Sequence, residues 1–316
     1  MKKKLKCQIC KKKIILKNVT TRSNKKLKIN FCTSCDFEYF IKEKTNNLKQ
    51  NKLDIFRLKN VGLKLIEKKK DIINGTQQAK EYIKLHANGK KKLKILDIGC
   101  SWGYFLKECK KNGHKAFGIE INKIRKDYVN NILNIKCLSN INELSGLTFD
   151  KIFLFYSLEY IKNPQDFLLK LKQFLSKNGE IIVYTPNKND HINQLLNLKS
   201  YNNFFYEENS INYFSKKTLI KIGQNIKCKF NIQLYQGYSI INLLNWFFHK
   251  KPFSTGYVGK DYYIENLLSH LKSNLKKNKK LKSNFGTLIK KIDSEFKKLI
   301  SKKNISNTII FRIKWK

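Results

Sequence analysis

The stretch from Lys94 to Cys109, KILDIGCSWGYFLKEC, decides the fold of this chain. It runs from an apolar burst through a glycine-bearing turn into the start of a helix. Asp97, Gly99 and Gly103 form D-x-G-x-x-x-G within it. A dinucleotide fingerprint needs G-x-G-x-x-G, and here Ser101 and Tyr104 hold its second and third glycine positions. The turn alone therefore leaves the ligand open.

Outward from this turn the pattern alternates. Strands are expected at LKILDIG (93–99), HKAFGIEI (114–121), NIKCL (134–138), FDKIFLFYSL (149–158) and EIIVYTPN (180–187). Helices are expected at GYFLKECKKNG, NKIRKDYVNNI and NPQDFLLKLKQFLSKNG. The last has Asn163 as cap, Pro164 at its first position and Gly179 past its end. Strand–helix alternation of this kind gives a doubly wound, mostly parallel sheet, with ligands at the carboxyl ends of the strands. Glu120 closes the second strand, where a carboxylate can accept both hydroxyls of an unphosphorylated ribose.

Taken together, ILDIGCSWG, GIE, FDKIFLFYSLEYIKNP and LSKNGEIIVYTPN resemble class I S-adenosylmethionine-dependent methyltransferases, in order and spacing over residues 92–187. The resemblance implies a seven-stranded Rossmann-like sheet. It places Asp97, Gly99, Cys100, Ser101 and Gly103 around the methionine part of the cofactor, and Glu120 and Ile121 at the ribose. Ser139 and Asn140 would lie near the adenine, with Leu158 and Glu159 beside the sulfonium. Ser101 stands where the family usually has glycine.

Eight cysteines divide into two sets. Cys7 and Cys10, then Cys32 and Cys35, form two C-x-x-C hooks around two apolar-rich runs and a TTRSNKK turn. Four thiolates so spaced suit a structural zinc ion in a ribbon built on a β-hairpin. A redox dithiol and leftover thiols are the other readings, and Lys11 and Asp36 stand where such knuckles usually carry glycine. Cys100, Cys109, Cys137 and Cys228 lie singly and read as small hydrophobes.

The expected organisation is a zinc ribbon (1–45), a helical connector (46–90) and an S-adenosylmethionine-binding domain (91–236). A helical insertion or lid (237–305) and the final strand of the sheet (306–316) follow. The final strand is expected to pair with CKFNIQLYQ (228–236). In the connector, Ala79, Tyr82, Ile83 and His86 share a helical face. A ribbon before such a domain is similar to methyltransferases acting on sugars and surface polysaccharides, as are residues 211–223 and 236–252. In the sugar C-methyltransferases a His follows the fourth strand and a Glu-His pair precedes the YFS segment. Here Tyr160 and Asn209-Ser210 occupy those places, which favours O- or N-methylation over C-methylation. Glu159 and Tyr160 are the catalytic candidates, with His191, Tyr206, Glu207 and Glu208 as further ones; His191 also reads as a solvated loop residue.

The formal net charge of +43 does not by itself make a nucleic-acid surface, because only Arg22, Arg57, Arg125 and Arg312 are arginine. Nucleic-acid readers concentrate the bidentate guanidinium, whereas these lysines are scattered. Nonspecific binding at low salt is all the charge implies. No apolar run is long enough to cross a membrane, and no apolar segment follows the basic start, so a cytoplasmic location is expected. The apolar IINLLNWFFHKK (240–251) reads either as lid packing or as a peripheral membrane contact. The expected function is methyl transfer to a sugar, nucleotide-sugar or glycan precursor. The alternatives are an RNA methyltransferase and a non-catalytic binding module.

Overall fold

The computed structural model describes residues 6–40, 69–89, 91–251 and 279–315. The expected connector is thus seen only over 69–89, and the insertion only over 237–251 and 279–305. The remainder of both calls lies outside the described residues.

At the N-terminus, strands β1 (Ile15–Thr20) and β2 (Lys26–Cys32) pair antiparallel, Ile15 opposite Phe31 and Thr20 opposite Lys26. Strand β3 (Phe37–Tyr39) adds to β2. Lys11 and Asp36, which follow the two C-x-x-C hooks, take φ of 61° and 56°. That left-handed conformation is why glycine is the common residue there, and an Asp or Lys can adopt it at modest cost.

The helix α1 (Lys69–His86) presents Ala79, Tyr82, Ile83 and His86 to the core, all buried. His86 is a satisfied structural histidine. Its Nε2 lies 2.6 Å from Tyr184 Oη and its Nδ1 2.6 Å from the Arg312 guanidinium.

The main sheet then begins. Its elements are β4 (Lys94–Ile98), α2 (Tyr104–Lys111), β5 (Lys115–Ile119), α3 (Lys123–Asn131), β6 (Cys137–Leu138), β7 (Phe149–Phe155), α4 (Pro164–Leu171) and β8 (Leu175–Pro186). Next come α5 (His191–Leu196), α6 (Lys199–Phe205), β9 (Asn212–Tyr213), α7 (Lys216–Asn225), β10 (Lys229–Tyr235), α8 (Ile240–His249), α9 (Lys279–Lys302) and β11 (Thr308–Lys314). The seven strands of the main sheet lie in the order β10-β11-β8-β7-β4-β5-β6. Strand β11 runs antiparallel between β8 and β10, and the other neighbours are parallel. This is the Rossmann-like methyltransferase architecture, a doubly wound sheet with one reversed strand. Strand β4 is buried over Ile95–Ile98, as a central parallel strand covered on both faces must be.

Two local expectations are corrected. The helix expected to reach Gly179 ends at Leu171, passes through a 3-10 turn (Lys172–Phe174) and gives way to β8. Leu175 pairs with Phe149, so sheet pairing overrides the helical periodicity of these residues. Gly179 is part of that strand, where a Cβ would come 2.8 Å from the Phe149 carbonyl oxygen. Pro164 does open the helix, but the Asn163 side chain makes no capping bond.

The ribbon is fused to the domain rather than tethered. Strand β9 pairs with β3 and completes a four-stranded sheet, β1-β2-β3-β9. One hydrophobic cluster runs from Cys7, Ile9 and Phe37 through Phe214, Leu219 and Ile222 to Ile181, Ile309 and Phe311 of the main sheet.

Candidate functional site

Strand order reverses between β4 and β7, so their carboxyl ends flank the crevice where open α/β sheets take ligands. The turn after β4 is shaped for close approach. Gly99 has φ +78°, and a Cβ there would lie 2.5 Å from Ser157 Oγ, at the end of β7. Gly103 (φ +73°) starts α2, and Ser101 between them holds a φ of 50°. Tyr156, across the crevice, is at φ 51°. Left-handed non-glycine residues of this kind gather where a site fixes its own backbone.

Glu120, buried just beyond β5, closes over this turn. Its Oε2 accepts the Ser101 amide at 2.9 Å and its Oε1 accepts the Asn122 amide at 2.8 Å. Asp97 lies buried beside it, and its Oδ1 has no hydrogen-bond partner among the described residues. Burial, and then the Glu120 charge, push its carboxyl up to about 8. The Cys100 amide bonds the Ile119 carbonyl at 3.1 Å, and its thiol sits 3.6 Å from that of Cys137. These two cysteines are therefore packed together and separate from the N-terminal four.

The other expected cofactor residues are spread along the same edge. Ile121 is 71% exposed beyond β5. Ser139 Oγ accepts a bond from Lys126 Nζ at 2.9 Å, and Asn140 caps a short 3-10 helix in a box with Glu143. Leu158 is fully buried in the core, in the 3-10 turn Leu158–Tyr160.

That turn separates the two catalytic candidates. Glu159 is buried, receives a long bond from Thr185 Oγ1 at 3.5 Å, and is pushed up to about 8 by burial. Its carbonyl accepts the Ile211 amide at 2.9 Å, which fixes the turn against the segment leading into β9. Tyr160, the next residue, is 46% exposed.

Three further candidates hold the hairpin instead. Tyr206 donates to Glu38 Oε2 at 2.7 Å, Glu207 meets Arg22 at 3.5 Å, and Glu208 meets Lys25 at 3.0 Å and also Ser23. His191 is no solvated loop residue. It is fully buried at the first position of α5, its Nε2 lies 3.4 Å from Gln236 Nε2, and burial lowers its pKa to about 4. Sequence reading missed the buried polar residues around it: Asp190, which caps α5 and accepts from Tyr201, and the Gln236–Asn307 pair. Only the polar run after TPN hinted at them.

The four N-terminal thiols lie within 4.8 Å of one another. Cys7 and Cys35 are 3.6 Å apart, Cys10 and Cys32 3.3 Å. Tetrahedral zinc with bonds of about 2.3 Å needs sulfurs about 3.8 Å apart, so this set is compatible with such an ion and leaves no open position.

The sheet order, the glycine turn and the buried carboxylate pair agree with what the resemblance to class I S-adenosylmethionine-dependent methyltransferases implies. Residues 73–229 match the family model described as a methyltransferase domain. The chain is 32% identical over 115 residues to the ubiquinone biosynthesis O-methyltransferase of Rickettsia typhi, covering 34% of this chain and 47% of that protein. The namesake from Rickettsia canadensis is 31% identical over 115 residues, covering 34% and 49%. The match thus spans about half the length of these curated relatives. Among solved structures, a SAM-dependent methyltransferase from Archaeoglobus fulgidus superposes with a TM-score of 0.46 at 16% identity, covering 76% of this chain and 94% of that one.

Proposed function

We propose that this protein transfers a methyl group from S-adenosylmethionine to a hydroxyl or amine of a small sugar, nucleotide-sugar or glycan precursor. The observation that carries the reading is the Glu120 carboxylate, buried and locked by two backbone amides beside a turn whose two glycines hold left-handed φ. Asp97 lies buried beside it, with one oxygen that has no partner among the described residues. A locked carboxylate of this kind suits a hydroxyl-rich ligand. Asp97, Gly99, Cys100, Ser101 and Gly103 would hold its methionine end, Glu120 and Ile121 its ribose, and Ser139 and Asn140 its adenine side.

When bound, S-adenosylmethionine supplies a methyl group on a positive sulfur, already activated toward displacement. The chain's task is alignment, water exclusion and removal of the acceptor's proton. Glu159 fits the last role better than Tyr160: it is buried at the carboxyl edge, and its raised pKa makes it a competent base near pH 8. In its ionised form it accepts the proton as the acceptor oxygen or nitrogen takes up the methyl group.

The O-methyltransferase names of the relatives support oxygen as the accepting atom. They also favour a second reading, an acceptor from ubiquinone biosynthesis. The sugar reading rests on the resemblance of the ribbon and of residues 211–223 and 236–252. Within this proposal the chain divides at 1–45, 46–90, 91–236, 237–305 and 306–316, and the four thiols hold a structural zinc ion. A cytoplasmic site of action goes with it.

The test is transfer of label from methyl-labelled S-adenosylmethionine to a panel of nucleotide sugars and ubiquinone precursors. Label in a nucleotide sugar supports the first reading and label in a quinone precursor the second. Cofactor binding without transfer to any fraction of a cell extract would favour a non-catalytic module.

A further inference from the structure

We propose that the outward face of helix α8 is a docking surface for an anionic lipid bilayer. The helix Ile240–His249 is apolar at every position except Asn242, Asn245 and His249. One side packs inward: Trp246 is buried, its ring 4.8 Å from that of Tyr201 and 5.2 Å from that of Phe204. The opposite side is apolar and exposed among the described residues. Leu244 is 45% exposed, Phe247 55% and Phe248 69%.

These three positions stand at i, i+3 and i+4, so they form one patch, with the two phenyl rings edge-to-face at 5.1 Å. A helix apolar all round is ordinarily buried. Among the described residues this one keeps its outer face exposed, against the cost of exposing two phenyl rings.

The charge around the patch selects the partner. The helix ends where Lys250 turns left-handed (φ 52°), and Lys250 and Lys251, both exposed, follow directly. Their stems can lie along the apolar patch while the ammonium groups reach outward to phosphate. No acidic residue occurs from Asn209 to Lys260. A second copy is a poor occupant, because each chain carries a formal charge of +43 and Lys250 and Lys251 adjoin the patch. Among the described residues no helix is long and apolar enough to cross a membrane, so this contact is one of resting on the surface. Exposed aromatic anchors beside lysine are what an interfacial helix uses on anionic lipid.

The experiment measures partition of the full chain onto vesicles at physiological ionic strength. One set is phosphatidylcholine with about one-third phosphatidylglycerol, the other phosphatidylcholine alone. The expected result is binding to the anionic vesicles only, weakened about tenfold or more by F247S/F248S. K250S/K251S should weaken it further than K107S/K177S, an equal charge change at two exposed lysines elsewhere. In F248W, emission should shift to the blue on anionic vesicles; far-UV circular dichroism confirms that each variant is folded.

Binding that ignores the phenylalanines and falls equally with either lysine pair would overturn the proposal in favour of nonspecific charge. Self-association abolished by F247S/F248S, with no vesicle binding, would assign the patch to a second copy instead. Absence of partition by the folded wild-type chain would also reject it.

Discussion

Lys188 Nζ lies 2.7 Å from Asp36 Oδ1, joining the turn that ends β8 to the residue that follows the second cysteine hook. The same ammonium reaches Glu38 Oε1 at 3.1 Å and stacks over the Phe31 ring. Burial would raise the Glu38 carboxyl, but Lys188 and Lys17 outweigh it and hold it below its ordinary value. Lys188 is 8% exposed, and removing it leaves the buried Glu38 carboxylate to Lys17 and Tyr206. Lys188→Ala should therefore lower the unfolding free energy by about 2 kcal/mol, read from urea denaturation. A change within about 0.5 kcal/mol would mean that this link is no more than a surface contact.

The thiol cluster predicts one tightly held zinc ion per chain by elemental analysis. A small four-stranded ribbon has little core of its own, so chelation should melt it and lower the melting temperature of the whole chain. Cobalt in place of zinc should give the visible bands of a tetrahedral thiolate site. Purified protein without metal and with unchanged melting behaviour would assign these cysteines another role.

Glu159 predicts a pH profile. Its carboxyl is pushed up to about 8, so it is mostly protonated at neutral pH and cannot accept a proton there. Turnover of the identified acceptor should rise with pH through about 8 and then level. Glu159→Gln should lower kcat by about a hundredfold or more and flatten the profile. Tyr160→Phe should leave both unchanged. The reverse pattern would move the base to Tyr160.

Stability should fall as pH rises from about 6.5 to about 8. Burial raises Asp97 and Glu159 to about 8 and Asp190 to about 7. The unfolded chain releases these protons near pH 4, while the folded chain keeps them, so stability is greatest below the unfolded values and is lost through the folded ones. His86 and His191 are depressed to about 4 and oppose this trend only on the acid side of about 6.5. Melting temperatures at constant ionic strength check the sign; a rise across this interval would contradict it.

Much of the main sheet was legible because its signals are local. The apolar bursts at Ile95 and Ile152, the glycine turn and the Pro164 helix start each declare themselves within a few residues. The pairing of residues 229–235 with the last strand was also expected and is present. What escaped reading depends on contacts across the chain. Asn212 and Tyr213 look like loop residues until β3 receives them as a fourth strand. Tyr206, Glu207 and Glu208 have the chemistry of a catalytic cluster, but the hairpin more than 160 residues upstream engages all three. His191 follows a polar run typical of exposed loops, yet α8 and α9 pack over its helix, with the Phe296 ring 5.7 Å away. Local polarity reports the cost of burial and not the partner that offsets it.

The central claim is that the turn from Asp97 to Gly103 and the Glu120 carboxylate form a cradle for S-adenosylmethionine. Titration calorimetry of the folded full chain with S-adenosylhomocysteine tests it most directly. Stoichiometric binding is predicted, weakened about tenfold to a hundredfold in Glu120→Ala, since charge-assisted bonds to a carboxylate contribute about 1.5–3 kcal/mol. No heat of binding from a chain whose circular dichroism shows the intact fold, or binding indifferent to Glu120, would contradict it.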